Sequence, residues 1–272
     1  MNKKVVFLDI DGTLIGFDGT LPDSTRAAIR RARKNGHHMV LCSGRSRFQM
    51  YPSLLALGFQ GIVGAAGAFV ECEGEEIYHH YMEEEKRKWI TAYLESNQFV
   101  YSMQADSGMV INERCKHIML GIYKAYGMDE KRLRRLVGNM EVREDVWNQP
   151  REEKIIYYKS PFPLEMVKKD IAPYFEAVAS SLEEPDAFSG EIGPANINKA
   201  TGMQIYLNHV GVGQEDTIAI GDGPNDLEMI QYAKVGVAMG NAQQVIKKAA
   251  NLVTKRVDEN GIYHAFEQLG LL

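Results

Sequence analysis

Two carboxylates stand two residues apart in Val5-Val6-Phe7-Leu8-Asp9-Ile10-Asp11-Gly12-Thr13. On an extended strand, residues i and i+2 point the same way, so Asp9 and Asp11 share a side while Ile10 turns back. Two other polar turns follow apolar runs: Ser43-Gly44-Arg45 after 37–42, and Asp222-Gly223-Pro224-Asn225-Asp226 after 217–220. If the three runs are strands of one parallel sheet, all three turns meet at its carboxyl edge, where open α/β sheets bind ligands. Lys199 adds one cation at the start of a helix. Four carboxylates (Asp9, Asp11, Asp222 and Asp226) converging there repel one another and call for a counter-cation. An all-oxygen donor set beside a negative group points to Mg²⁺ rather than to a soft metal.

An EF-hand fails on spacing. That loop needs an acid or amide at its fifth position and a glutamate at its twelfth, and here those positions hold Thr13 and Thr20. Asp18-Gly19-Thr20 repeats the D-G-T without a preceding apolar strand and reads as a turn.

The elements that must carry these residues alternate. Val5–Leu8 is a short apolar run of the kind buried on both faces of a parallel sheet. Leu21-Pro22-Asp23-Ser24 starts a helix that Asn35-Gly36 stops, and 37–42 is a second strand, followed by a helix to about residue 58. Short strands at 61–64 and 67–70 follow, with a turn near Glu73-Gly74. The β-α-β-α-β rhythm implies a parallel sheet with crossover helices. From 83 to about 185 the chain is richer in charge and aromatics, with helices expected near 84–97, 129–138 and 164–174. Strands are expected there near 99–104, 109–112, 155–159 and 175–180. Residues 183–186 and 190–194, rich in Gly and Pro, read as a return linker. The first rhythm then resumes: a helix over 199–210, strands at 217–220 and 235–239, and helices near 227–233, 242–250 and 261–269. The expected architecture is α/β: a Rossmann-like parallel-sheet core from 1–82 and 191–272, with an inserted α+β cap domain over 83–190.

A chain of 272 residues can bury an ample core, and 45% hydrophobic with 25% charged residues is ordinary for a globular protein. The net charge of −5 argues against a nucleic-acid backbone binder and means that an anionic substrate needs local positive charge. Lys3-Lys4 precedes only four apolar residues before Asp9, too few for a secretory signal, and no run is long enough to span a membrane. The three cysteines, Cys42, Cys72 and Cys115, are widely spaced and suit reduced thiols in a cytoplasm.

Taken in order, D-I-D-G-T-L, S-G-R, a lone lysine and G-D-G-P-N-D resemble the four motifs of the haloacid dehalogenase superfamily of phosphohydrolases. The insert between the second and third motifs is similar to the Cof-type, C2B-capped branch (subfamily IIB), as are Val237-Ala238-Met239-Gly240-Asn241-Ala242 and Asn260-Gly261-Ile262. The resemblance implies a Mg²⁺-dependent phosphatase acting on small phosphorylated metabolites, sugar phosphates among them. Asp9 would be the nucleophile that forms an aspartyl-phosphate, and Asp11 the acid and then the base. Asp9, the backbone carbonyl of Asp11, Asp222 and Asp226 would hold the metal. Ser43, Gly44, Asn225 and Lys199 would grip the phosphoryl oxygens, with Arg45 near the substrate. Two unit charges about 4 Å apart repel by roughly 4 kcal/mol at an effective dielectric of about 20. A carboxylate nearing a phosphate dianion faces about twice that, so cations are needed for attack.

Two departures stand out: Ala66-Gly67-Ala68 where relatives often carry Asn-Gly-Ala, and Ser43 for the commoner threonine. A cysteine phosphatase centred on Cys42 would need arginine where the chain has Phe48, and no Walker A or G-x-G-x-x-G motif occurs. The seven histidines form no H-x-x-x-H pair. A phosphosugar mutase and a non-catalytic phosphometabolite-binding protein remain as alternatives; the acid pair argues against the latter. Trp89, Tyr101 and Arg114 of the insert form no readable recognition code.

Overall fold

The computed structural model describes residues 3–16, 19–138, 140–179 and 189–272, and of 132 and 135 the backbone only. Asp18 of the expected second turn, Ser180 and the linker residues 183–186 lie outside these.

The first unit comprises residues 1–45, 49–79 and 197–272. Its eight-stranded sheet places Val5–Leu8 in the middle, parallel to Thr217–Gly221 on one side and His38–Cys42 on the other. Val235–Ala238 and Leu252–Val253 extend the sheet beyond Thr217–Gly221, and Gly61–Gly64 extends it beyond His38–Cys42. The topology therefore reverses at Val5–Leu8, the position at which open sheets form a crevice. All four residues of that strand are buried. Val6 and Leu8 join one core cluster while Val5 and Phe7 join another on the opposite face, which is why the run shows no polar alternation. Phe7 meets Tyr206 edge-on at 5.9 Å, and each such buried aromatic contributes roughly 1.5–3 kcal/mol.

Two strands depart from the parallel pattern. Phe69–Cys72 runs antiparallel to Gly61–Gly64, and Glu75–His79 folds back on it as a hairpin. The expected helix up to residue 58 is broken into Arg47–Gln49, a 3-10 turn, and Pro52–Leu55, because Pro52 begins a new helical turn.

The second unit comprises residues 46–48 and 80–196. Its six strands order as Phe175–Ala179, Gly190–Pro194, Glu152–Lys159, Val100–Ala105, Met109–Ile111 and Met140–Val142. All pairs are antiparallel except the last. The helices Glu84–Ser96 and Glu113–Ala125 share with this sheet a core containing Ile90, Leu94, Met103, Cys115, Met119 and Ile155. Residues 190–194, read as a linker, are a strand between two others, so this unit extends to Asn196 rather than stopping at 190. The glycine has a steric reason: a Cβ on Gly190 would lie 2.2 Å from the Val178 carbonyl oxygen. The helix Glu113–Ala125 was not expected; Asn112 caps it by accepting from the Cys115 N–H at 2.8 Å.

Candidate functional site

Asp9 follows directly on Val5–Leu8, and its N–H donates to the Ile220 carbonyl at 3.0 Å. The backbone ladder thus continues one residue past each strand and brings the two strand ends together. Gly12 turns the chain away with φ +81°. A Cβ at Gly12 would stand 2.2 Å from Asp222 Oδ2, so only glycine allows the Asp222 carboxylate this close. Thr13 Oγ1 donates to Asp222 Oδ1 at 3.1 Å, and Asn241 Nδ2 donates to Asp222 Oδ2 at 3.1 Å and to the Gly12 carbonyl at 2.8 Å. Asn241 is itself held by the Val257 N–H at 2.9 Å.

Asp226 lies on the 3-10 turn Pro224–Asp226 and is fully buried. Its Oδ2 accepts from the backbone N–H groups of Asp222 and Gly223 at 2.8 and 2.9 Å. Its Oδ1 accepts from Lys199 Nζ at 2.5 Å, and the same ammonium donates to Asp9 Oδ1 at 2.7 Å. Lys199 is the first residue of the helix Lys199–Val210, where Asn198 and Thr201 form a reciprocal cap. That helix start is pressed against the turn after Gly61–Gly64: a Cβ on Gly67 would lie 2.0 Å from the Asn198 carbonyl oxygen, and one on Gly202 only 2.4 Å from Val63 Cγ1. Close glycine packing therefore fixes the height at which the lysine enters.

The result is three buried carboxylates, Asp9, Asp222 and Asp226, with ligand oxygens within 4.8 Å of one another, facing one buried ammonium. Burial and the Asp226 charge drive the Asp9 carboxyl well above the usual carboxylate range, with Lys199 pulling the other way. Burial and Asp226 likewise push Asp222 up to about 7. Burial alone would discharge Lys199, but Asp226 and Asp9 outweigh it and hold it protonated. One cation among three acids leaves a site short of positive charge, with oxygen donors only. A hard divalent ion fits that donor set and that deficit.

Asp11 stands apart from this cluster. Both of its oxygens are engaged by Arg45, Nε to Oδ2 at 2.6 Å and Nη2 to Oδ1 at 2.8 Å. Arg45 lies 4.7 Å from the Tyr51 ring centroid and also donates to the Gln49 carbonyl at 3.2 Å. The guanidinium expected near the substrate thus rests on the expected acid. Ser43 is buried at the end of His38–Cys42, where its hydroxyl accepts from the Arg45 N–H at 3.2 Å. Gly44 beside it and Asn225 on the 3-10 turn are half-buried. Thr13 and Asn241, which hold Asp222, were missed as site residues. Their signal was position: one follows the first acid pair and the other follows the strand Val235–Ala238, both at the same sheet edge.

A family model described as haloacid dehalogenase-like hydrolase matches residues 6–266. The chain is 32% identical over 273 residues to "Putative phosphatase YkrA" of Bacillus subtilis (strain 168), covering all of both chains. It is 27% identical to the 5-amino-6-(5-phospho-D-ribitylamino)uracil phosphatase YwtE of the same organism, covering 98% of each. Among solved structures, a hypothetical protein from Geobacillus kaustophilus HTA426 superposes with a TM-score of 0.80 at 28% identity, covering 100% of each chain.

Proposed function

The chain belongs to the haloacid dehalogenase-like hydrolases and is a phosphatase of small phosphorylated molecules; from that premise we propose a Mg²⁺-dependent phosphomonoesterase that works through an aspartyl-phosphate on Asp9. The substrate class we infer is the phosphate ester of a hydroxyl-rich, sugar-like metabolite. A relative at 27% identity is named for a phosphoribityl compound, which supports that class. Three buried cysteines, all unpaired, suit a cytoplasmic setting.

The observation that carries the reading is the pairing of Asp9 with Lys199 inside an acid-rich pocket. Asp9 keeps 6% exposure. Its Oδ1 is held by Lys199, while Oδ2 accepts no hydrogen bond from a described residue and is the oxygen left to attack phosphorus. The new P–O bond to Asp9 forms as the bond to the leaving alkoxide breaks, and Asp11 supplies the alkoxide with a proton. To do so, Asp11 must free one oxygen from Arg45. Asp11 then takes the proton of the water that opens the aspartyl-phosphate, releasing inorganic phosphate and restoring Asp9. Asp9, Asp222, Asp226 and the Asp11 carbonyl would hold Mg²⁺, whose charge offsets the repulsion between carboxylate and phosphate. Lys199, Ser43, the Gly44 N–H and Asn225 bind and orient the phosphoryl oxygens.

A screen of phosphorylated sugars, polyols and nucleotides for phosphate release, with Mg²⁺ and with chelator, tests this. Release from a polyol or sugar phosphate that chelator stops and Mg²⁺ restores is expected. Release unaffected by chelator removes the metal, and isomerisation of a hexose 1-phosphate without phosphate release replaces the phosphatase with a mutase.

A further inference from the structure

Two stretches singled out in the sequence, 237–242 and 260–262, take no direct part in the proposed chemistry. Both lie in the first unit, where they are built against each other. Past the strand Val235–Ala238, the Gly240 N–H donates to the Lys255 carbonyl at 2.9 Å, and the Thr254 N–H donates to the Ala238 carbonyl at 2.9 Å. Two glycines permit the approach. A Cβ on Gly240 would lie 2.5 Å from the Arg256 nitrogen, and one on Gly261 would lie 2.3 Å from the Lys255 carbonyl oxygen. Thr254 Oγ1 donates to the Gly261 carbonyl at 2.7 Å, and the Gly261 N–H donates to the Arg256 carbonyl at 3.0 Å, closing 254–261 on itself. That closed loop fixes the Val257 N–H, which donates to Asn241 Oδ1 at 2.9 Å.

The Asn241 amide is used on both sides. Its oxygen faces Val257, while its nitrogen donates to the Gly12 carbonyl at 2.8 Å and to Asp222 Oδ2 at 3.1 Å. The reverse orientation would set three acceptor oxygens together and leave an NH₂ against an N–H, so the network admits one orientation only. One planar amide thus ties the turn that follows Asp11 to a carboxylate at the end of another strand, and backs both on the loop 254–261. Thr13 holds the other Asp222 oxygen at 3.1 Å, but Thr13 belongs to the Gly12 turn and moves with it. Asn241 refers turn and carboxylate to a third, separate point.

We propose that Asn241 is a positioning residue for the divalent-ion site, with 254–261 as the support behind it. The proposal rests on the reading of Asp222 as a metal ligand. The crowded carboxylates Asp9, Asp222 and Asp226 repel one another, which favours spreading of the cluster. A directed hydrogen bond to one Asp222 oxygen opposes that, and it limits the directions in which the remaining lone pairs point. Groups that orient a metal ligand in this way contribute about 10–100-fold in metal affinity.

The test uses the full chain, stripped of metal and titrated with Mg²⁺ in a calorimeter. Asn241→Ala should weaken Mg²⁺ binding by about 10–100-fold. Asn251 supplies the comparison: its Oδ1 accepts from the Gly236 N–H at 2.7 Å, near the start of the same strand. Both alanine variants give up an asparagine–backbone bond and should lose a few degrees of Tm. Asn251→Ala, however, should bind Mg²⁺ within about twofold of wild type. Asn241→Ser, which keeps one hydroxyl donor, should fall between wild type and Asn241→Ala, and it carries the test where the alanine variant does not fold. With a substrate found by the screen, the Mg²⁺ concentration for half-maximal phosphate release should rise by the same factor as the Kd. At saturating Mg²⁺, kcat should recover to within about threefold, because Asn241 touches no reacting atom. Mg²⁺ affinity that is unchanged in the Asn241 variants, or lowered equally in Asn251→Ala, overturns the proposal and leaves the phosphatase standing. Wild-type protein that binds no Mg²⁺ removes the metal reading, and the proposal with it.

Discussion

Both units bury carboxylates, and they treat them in opposite ways. In the second unit two pairs set one acid against one base: Glu191 has Lys154 at 2.6 Å, and Glu152 has Arg87 at 3.5 Å. In the first unit Asp9, Asp222 and Asp226 gather within 4.8 Å of one another, with Lys199 the one cation paired to them among the described residues. A fold that needed only stability would not concentrate three acids on one lysine, since each added carboxylate raises the cost of ionising the others. The imbalance is what a site awaiting both a cation and a phosphate looks like. The balanced pairs tie neighbouring strands and helices together.

Asp9→Asn tests that contrast most severely. It keeps the shape and an oxygen for Lys199 but replaces the attacking carboxylate with a poor nucleophile. Phosphate release should fall by at least about 10⁴-fold, with far-UV circular dichroism unchanged. Activity within tenfold of wild type would return Asp9 to the same class as the paired acids of the second unit.

Gly12→Ala asks whether the crowding of the acids is enforced by the backbone. The added Cβ meets both a left-handed φ and the Asp222 carboxylate at 2.2 Å. Asp222 must withdraw from the cluster, and a loss of about 2–4 kcal/mol in folding stability is expected, read by urea unfolding, together with weaker Mg²⁺ binding by calorimetry. Unaltered binding would mean that the cluster tolerates being spread.

Much of this arrangement is legible in the residue order, because the first unit's strands are short apolar runs that end in acids or glycine. Asp9, Asp222, Asp226 and Lys199 could be gathered on paper by assuming one parallel sheet, and the structure brings them together. What could not be read are contacts that depend on side-chain reach. Arg45 could be placed at the right edge but not on both oxygens of Asp11. Thr13 and Asn241 are short polar residues whose service to Asp222 depends on the Gly12 turn. In the second unit, Gly190 and Pro194 mimic a linker although they belong to a strand, and Gly121 weakens the helical pattern of Glu113–Ala125. Local propensity misleads there because tertiary packing decides.

The Glu152–Arg87 pair is the weak point of the balanced set, and it sharpens the comparison. Arg87 spends its stronger bonds on the carbonyls of Met82, at 2.7 Å, and Trp147, and neither Glu152 oxygen accepts a hydrogen bond from a described residue. Burial pushes the Glu152 carboxyl up to about 9, against the pull of Arg87 and Arg143. The folded pKa lies above the unfolded one, so the folded state binds this proton more tightly. The associated stability is complete below about pH 4.3, the ordinary glutamate value, and is lost as pH rises towards 9. Glu152→Gln removes that loss: it should be more stable than wild type by on the order of 3 kcal/mol at pH 8, with the gap closing near pH 5 in urea unfolding. Parallel pH profiles would show that Glu152 stays ionised and fully paired with Arg87.

The smallest effect comes from the pair that is balanced best. Lys154 is almost wholly buried, whereas the Glu191 side chain keeps 25% exposure. Glu191→Gln alone strands a buried ammonium and should cost about 2 kcal/mol. Adding Lys154→Met removes that charge and leaves an apolar side chain of similar length in its buried place. The double variant should fall within about 1 kcal/mol of wild type, because the desolvation cost of the pair cancels most of its attraction. A cycle of the four proteins in urea reads this directly. A double variant as unstable as Glu191→Gln would mean that the second unit needs its charges as much as the first, and charge imbalance would no longer separate a working site from a structural pair.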